Sequence, residues 1–176
     1  MPIKPELTIR ALTAADLESY RDIRLEGLRL SPEAFGSSYE EEIARPDEEF
    51  ARRLAQGPGA MFGAFDPHAS GPASLSGTAG CYLDNGLKSR HKLHLVGMYV
   101  RPAYRQLGLG AKLVERVLVH ARKIGGIVMV QLGVGCDNYA ARALYDRLGF
   151  KVYGIERKAL KIGERFIDEE LRAIEI

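Results

Sequence analysis

The sequence predicts an α+β fold, a mixed sheet with helices packed on its faces. Short apolar or alternating runs recur at residues 7–12, 60–65, 78–83, 92–100, 127–134, 150–161 and 165–176, with the lengths and patterns of strands. Stretches of helical spacing lie between them, and glycine and proline punctuate the junctions. The resulting order, β-α-α-β-β-β-α-β-α-β-β, is that of a mixed sheet carrying helices.

Residues 7–12 (LTIRAL) alternate as an edge strand does. Thr13 and Asp16 form a helix-start pair, in which each side chain can take a free backbone N–H of the other. Leu17, Tyr20, Ile23 and Leu28 then share one helical face through about Leu30. Pro32 breaks that helix, and SPEAFGSSYEEEIA follows as a loop or short helix. Pro46 suits a first helical position, and DEEFARRLAQ continues to a stop at Gly57. Residues 60–65 and 78–83 read as strands around a Gly-, Pro- and Ser-rich surface loop at residues 66–77. Asp84-Asn85-Gly86 signals a tight turn into the strand KLHLVGMYV, residues 92–100. From about residue 109 to 123 a helix puts Leu113, Val117, Ala121 and Ile124 on one stripe, and Gly125-Gly126 ends it. IVMVQLGV, residues 127–134, is almost wholly apolar, as a strand buried in the sheet should be. Asn138 to Leu148 reads as a helix stopped by Gly149, and two strands close the fold around Ile162-Gly163-Glu164.

Composition narrows the function. At 176 residues the expectation is one domain, 1–176, with a substantial core. A net charge of +2, with no basic stripe, argues against nucleic acid and against an anionic membrane as partners. The opening MPIKPELTIR lacks the apolar stretch of a secretory signal, so a cytoplasmic location is expected. Cys81 and Cys136 are then read as free thiols. His68, His91, His94 and His120 show no metal-ligand spacing, and no metal is expected.

The chemistry concentrates at Arg105-Gln106-Leu107-Gly108-Leu109-Gly110, between a strand and a helix. Glycines let backbone N–H groups approach an anion, and the unpaired donors of a helix start add partial positive charge. Arg105 and Lys112 stand near enough to add full charge. A dinucleotide site needs a third glycine where Leu113 stands. A P-loop needs a Ser or Thr after its lysine, and Leu113 follows Lys112. An acyl-coenzyme A turn, Arg/Gln-x-x-Gly-x-Gly/Ala, fits without a gap; two glycines that merely punctuate a turn are the plain alternative.

VRPAYRQLGLGAKL resembles the central motif of the GNAT superfamily of acyl-CoA-dependent N-acyltransferases. Asn138 and ALYDRLGF, residues 143–150, resemble that family's next motif at matching spacing. The resemblance is strongest over residues 92–153, and the element order extends it along the chain. It implies a mostly antiparallel central sheet of about seven strands flanked by about four helices, with acetyl-CoA as co-substrate.

The resemblance also distributes roles. The backbones of Met98 and Val100 would pair with the pantetheine amides, and that of Gln106, Leu107, Gly108, Leu109, Gly110 and Ala111 would take the pyrophosphate beside Arg105. Asn138 would lie by the pantetheine arm, with a plain helix N-cap as its alternative role. Tyr145 lies two helical turns after Asn138 and is the candidate acid for the departing thiolate; a buried core aromatic is its alternative. His94, six residues before Val100, is the candidate base, since imidazole titrates near neutrality. Its alternative is a hydrogen-bonded strand histidine. Phe35, Tyr39 and Glu40, with Glu41 and Glu42, are candidates to line the amine slot, although acids at a helix start often only complement its dipole.

The resulting expectation is an N-acetyltransferase acting on a primary amine of a small molecule or peptide, by direct attack in a ternary complex. Two alternatives stand beside it: acetylation of a protein or N-terminal amine, and a non-catalytic acyl-CoA-binding module. A homodimer is compatible with all three.

Overall fold

A computed structural model describes residues 6–55 and 57–176. The strands are β1 (Thr8–Ala11), β2 (Ala60–Phe65), β3 (Leu75–Leu83), β4 (Lys92–Val100), β5 (Met129–Gly135), β6 (Lys151–Ile162) and β7 (Arg165–Glu175). The helices are α1 (Leu17–Leu30), the short α2 (Tyr39–Ile43), α3 (Asp47–Arg53), α4 (Leu109–Lys123) and α5 (Tyr139–Arg147). The strands form one seven-stranded sheet in the order β1-β2-β3-β4-β5-β7-β6. Every neighbouring pair is antiparallel except β4 and β5. This is the mixed, mostly antiparallel α+β sheet expected from the sequence.

The sheet buries both faces. On one, Leu109, Leu113, Val114, Val117, Leu118 and Ala121 of α4 pack on Phe62, Ala79, Leu93 and Leu95, and Leu144 and Tyr145 of α5 join them. On the other, Tyr20, Ile23 and Leu28 of α1 and Phe50 of α3 pack on Met61, Leu75 and Tyr99. The helical stripes read from the sequence are therefore the buried ones. The Thr13–Asp16 pair starts a single 3-10 turn ahead of α1, and Arg10 clamps Asp16 with bonds of 2.7 and 2.8 Å. That clamp and the Thr13 N–H hold the Asp16 carboxyl below its usual range.

Several boundaries differ from expectation. β3 starts at Leu75, so the surface loop loses its last residues to the sheet: Leu75 is fully buried and the Ser76 hydroxyl donates to the Ala64 carbonyl at 2.9 Å. Asp84-Asn85-Gly86 opens a loop running to residue 91 and makes no tight turn; the Asp84 side chain is drawn onto β4 instead. α3 ends at Arg53, where the Leu54 and Ala55 amides bond back to Ala51 and Arg52 and tighten the coil. Gln56, the expected last residue of that helix, lies outside the described residues. Ile127 and Val128 precede β5, with the Val128 amide bonded to the His91 carbonyl.

The feature that positions the site is the failure of β4 and β5 to stay together. Their parallel pairing covers only Lys92↔Met129, Leu93↔Val130 and His94↔Gln131. Beyond it β4 runs on to Val100 and β5 to Gly135 without facing each other across a ladder. Gly97 sits in the left-handed region at φ +61°, and the β3–β4 register shifts beside it. This bulge re-aims the strand. Before it, Leu93 and Leu95 face α4 while Val96 faces α1; after it, Met98 and Val100 face α4 and Tyr99 packs on the α1 side.

Candidate active site

The parted edge of β4 leads directly into the glycine turn. Gln106 and Gly108 both adopt left-handed backbone, at φ +62° and +78°. Gly108 is the N-cap of α4, and no side-chain cap bonds the helix start. The Arg105 amide bonds to Pro102, and the next backbone donor in use is Lys112, to the Gly108 carbonyl at 3.3 Å. Between them, the amides of Gln106 to Ala111 take no backbone acceptor among the described residues at normal hydrogen-bond geometry. A row of free donors on a left-handed turn at a helix N-terminus is an anion cradle. A Cβ at Gly110 would come within 2.6 Å of Met98 Cε and 3.3 Å of Leu144 Cδ2. Glycine there lets β4, α4 and α5 meet. Arg105 is tied across the turn: Nε donates to the Val100 carbonyl at 2.9 Å, and the guanidinium lies 5.6 Å from the Tyr99 ring centre.

Two further candidate positions lie at the start of α5 and within it. Asn138 caps α5, its side-chain oxygen accepting from the Ala141 amide at 3.1 Å, which leaves its NH2 group without a role in the cap. Tyr145 is 5% exposed and packs edge-on against Phe150. Burial pushes its phenol up to about 12. Its hydroxyl makes no hydrogen bond among the described residues, yet it is not one of the fully enclosed unpartnered atoms, so it retains an opening. Beneath α5, the buried Arg172 binds Glu170 and Asp146 and donates to the Arg142 carbonyl, which fixes the helix that carries Tyr145.

His94 projects to the opposite face from Leu93 and Leu95. Its ring stacks on Tyr82 at 4.6 Å and lies 3.0 Å from Asp84 through Nε2. Gln131 Nε2 approaches at 3.2–3.3 Å. With Nε2–H donated to Asp84, Nδ1 is the ring's acceptor. The same face carries Glu169, because Arg172 and Glu170 on β7 point toward α5. Glu169 is half-buried against Gly133, where any Cβ would lie 2.9 Å from its Oε2. Burial first, and the neighbouring Glu156 second, raise its carboxyl above the usual range.

The amine-slot residues are not gathered as expected. Phe35 is buried against Tyr99 with Arg24 stacked on its ring at 4.7 Å; Tyr39 is half-buried and Glu40 exposed. Phe35, Tyr39, Glu40 and Glu41 do not line the cleft of about 480 Å³ between α1, α3 and the sheet; of these candidates Glu42 does, beside residues such as Arg24, Arg53, Met61, Tyr82 and Val96. Glu41 is spent on a capping box with Ser38. Glu42 is 0% exposed and held by Arg53 at 2.8 and 2.9 Å. Burial opposes its charge, but Arg53 and Arg24 overcome this and keep the carboxyl below its usual range.

A family model described as the acetyltransferase (GNAT) family matches residues 21–150. The chain belongs to the GNAT acetyltransferase family. Among curated relatives, the N-alpha-acetyltransferase RimI of Mycobacterium tuberculosis is 38% identical over 72 residues, 41% of this chain and 42% of that protein. The chain matches between 32% and 42% of the length of its first curated relatives. A GNAT-family acetyltransferase of known structure from Streptococcus pneumoniae superposes with a TM-score of 0.83 at 24% identity, over 97% of this chain and 100% of that one. A putative acetyltransferase from Salmonella typhimurium, solved with its cofactor acetyl-CoA, gives 0.78 at 20% identity over 97% and 94%. At these identities the likeness is one of fold.

The GNAT family uses acetyl-CoA, and the residues present fit it. The free amides of Gln106 to Ala111 match a pyrophosphate, and the unpaired β4 edge offers amide partners to an extended arm. Sequence reasoning missed Asp84, Gln131, Glu169 and the arginines around Glu42. Asp84 reads as a turn former, and the others gain meaning only from strands and helices distant in sequence.

Proposed function

We propose that the protein transfers an acetyl group from acetyl-CoA to a primary amine of a small molecule or peptide, by direct attack in a ternary complex. The observation that carries this reading is the parting of β4 from β5, which ends on unused amide donors at the start of α4. When bound, acetyl-CoA supplies an activated acyl thioester. The amides of Gln106 to Ala111, with Arg105 and the exposed Lys112, hold its pyrophosphate. The Met98 backbone holds the pantetheine arm, the Val100 carbonyl anchors Arg105, and the free NH2 of Asn138 faces the same arm.

The two proposed proton-handling groups stand on opposite faces of the sheet, His94 on the last rung before β4 and β5 part. His94, oriented by Asp84, takes the proton of the amine, directly or through water. Tyr145 stays protonated at every physiological pH and donates to the departing thiolate. The acceptor enters on the α1 face, where Glu169 adds a carboxylate. The name of the RimI relative, an N-alpha-acetyltransferase, favours an α-amino group as acceptor.

Calorimetric titration with acetyl-CoA tests the reading. We expect one site with micromolar-range affinity and release of free thiol when a panel of amines is added. Absence of acetyl-CoA binding would overturn it.

A further inference from the structure

The cleft on the α1 face carries more positive charge than its own acid neutralises. Arg24, Arg52 and Arg53 line it, and Glu42 is the acid among the lining residues. Arg53 is committed to Glu42 in a two-bond pair. Arg45, outside the lining, reaches the same carboxylate at 3.8 Å but pairs more closely with Glu49 at 2.9 Å, so within the cleft Arg24 and Arg53 share the single charge of Glu42. Arg24 stands 3.5 Å from Glu42 through Nε, and that nitrogen is enclosed without a hydrogen-bond acceptor. Its side chain is 13% exposed, and its guanidinium carbon lies 4.7 Å from the Phe35 ring centre. The one hydrogen bond its guanidinium makes among the described residues goes from Nη2 to the Ser37 hydroxyl at 3.3 Å. Arg52 is exposed, lines the cleft and makes no ion pair among the described residues.

The cleft's floor is Met61, Tyr82, Val96 and Gly97. Val96 and Gly97 are the residues of β4 just past its pairing with β5, and Tyr82 is the ring on which His94 stacks. The cationic wall therefore faces the place where an acceptor amine would meet the β4 edge. Planar guanidinium groups in a partly enclosed cleft favour a carboxylate, which they bind in paired hydrogen bonds.

We infer that this cleft is a carboxylate subsite: the acceptor is an amine that also bears a carboxylate, as an amino acid does, and Arg24 and Arg52 hold that carboxylate while the amine points at β4. The inference rests on the acetyltransferase reading for the acceptor's role, but the anion preference is measured without turnover.

The probes are N-acetylated L-amino acids and their matching N-acetyl carboxamides, titrated calorimetrically into the protein in the presence of coenzyme A. The acid of a pair is expected to bind at least tenfold more tightly than its amide. Arg52→Gln, a change at an exposed position, should collapse that ratio toward one. Arg24→Lys, which keeps the charge and loses the planar fork, should reduce it. Equal affinities for acid and amide, no binding of any acid, or an unchanged ratio in Arg52→Gln would each overturn the subsite. In parallel, free amino acids and acetyl-CoA are assayed for thiol release. An intact acid-to-amide ratio with no thiol released would leave the carboxylate subsite standing and remove the acetyltransferase reading.

Discussion

Tyr145, as the proposed acid, would serve packing and chemistry at once. Its ring is enclosed by the core around Phe150, and the same enclosure drives its phenol to about 12. A phenol so hard to ionise keeps its proton at any physiological pH, so its O–H is always available to a developing thiolate, although burial makes it a weaker acid than a free phenol. Tyr145→Phe keeps the ring and removes the proton. Turnover should fall on the order of 100-fold, the usual scale for one general acid, with acetyl-CoA affinity and melting temperature nearly unchanged. Steady-state kinetics with calorimetry reads both, and undiminished turnover would take the acid role from Tyr145. His94 was visible in the sequence as a histidine six residues ahead of the strand end. Its tethering by Asp84 and Gln131 was not, because those partners come from the far end of a loop and from a parallel neighbour.

At the scale of elements, the three helices on the α1 face are pinned by one carboxylate. Glu42 sits on α2 and draws in Arg24 of α1 and Arg53 of α3. In the sequence it is one of three consecutive acids, and only the helical phase distinguishes it: Glu40 and Glu41 turn to solvent while Glu42 turns inward. Local pattern reads this segment as a loop or short helix and gives no sign of the pairing that matters. Removing one partner of a buried pair strands the others, so Glu42→Gln should destabilise the fold by about 3 kcal/mol near pH 7. The sign with pH follows from the lowered carboxyl. Glu42 contributes its stability above the ordinary glutamate value near 4.5, and that contribution is lost as pH falls through the lower folded value. Urea unfolding should therefore show a large gap between wild type and variant at pH 7 that narrows at pH 3. A gap independent of pH would mean that the carboxylate charge is not what pins the helices.

On the scale of the whole molecule, the sheet is one continuous array that is locally undone at its centre, and the proposed site is the place where it is undone. The glycine turn was legible because its Arg-x-x-Gly-x-Gly spacing is a local pattern, and Gly108 does adopt the left-handed backbone that glycine favours. The parting of β4 from β5 was not legible in the sequence, since no periodicity in either strand marks where pairing stops; the family resemblance implied only a free strand edge at Met98 and Val100. Because the cradle belongs to the folded state alone, acetyl-CoA should raise the stability of the entire fold. At a ligand concentration 100 times Kd the gain is about 2.7 kcal/mol, which for a chain of this size moves Tm by roughly 5–10 °C. Gly108→Val places a branched side chain at φ +78°, where strain of about 1–3 kcal/mol forces the turn out of its present shape. If that weakens binding tenfold, the same ligand concentration yields about 1.4 kcal/mol, so the shift should drop to about half. Thermal melts with and without acetyl-CoA, for both proteins, measure this directly. An equal shift in the two would show that the pyrophosphate is held somewhere other than this turn.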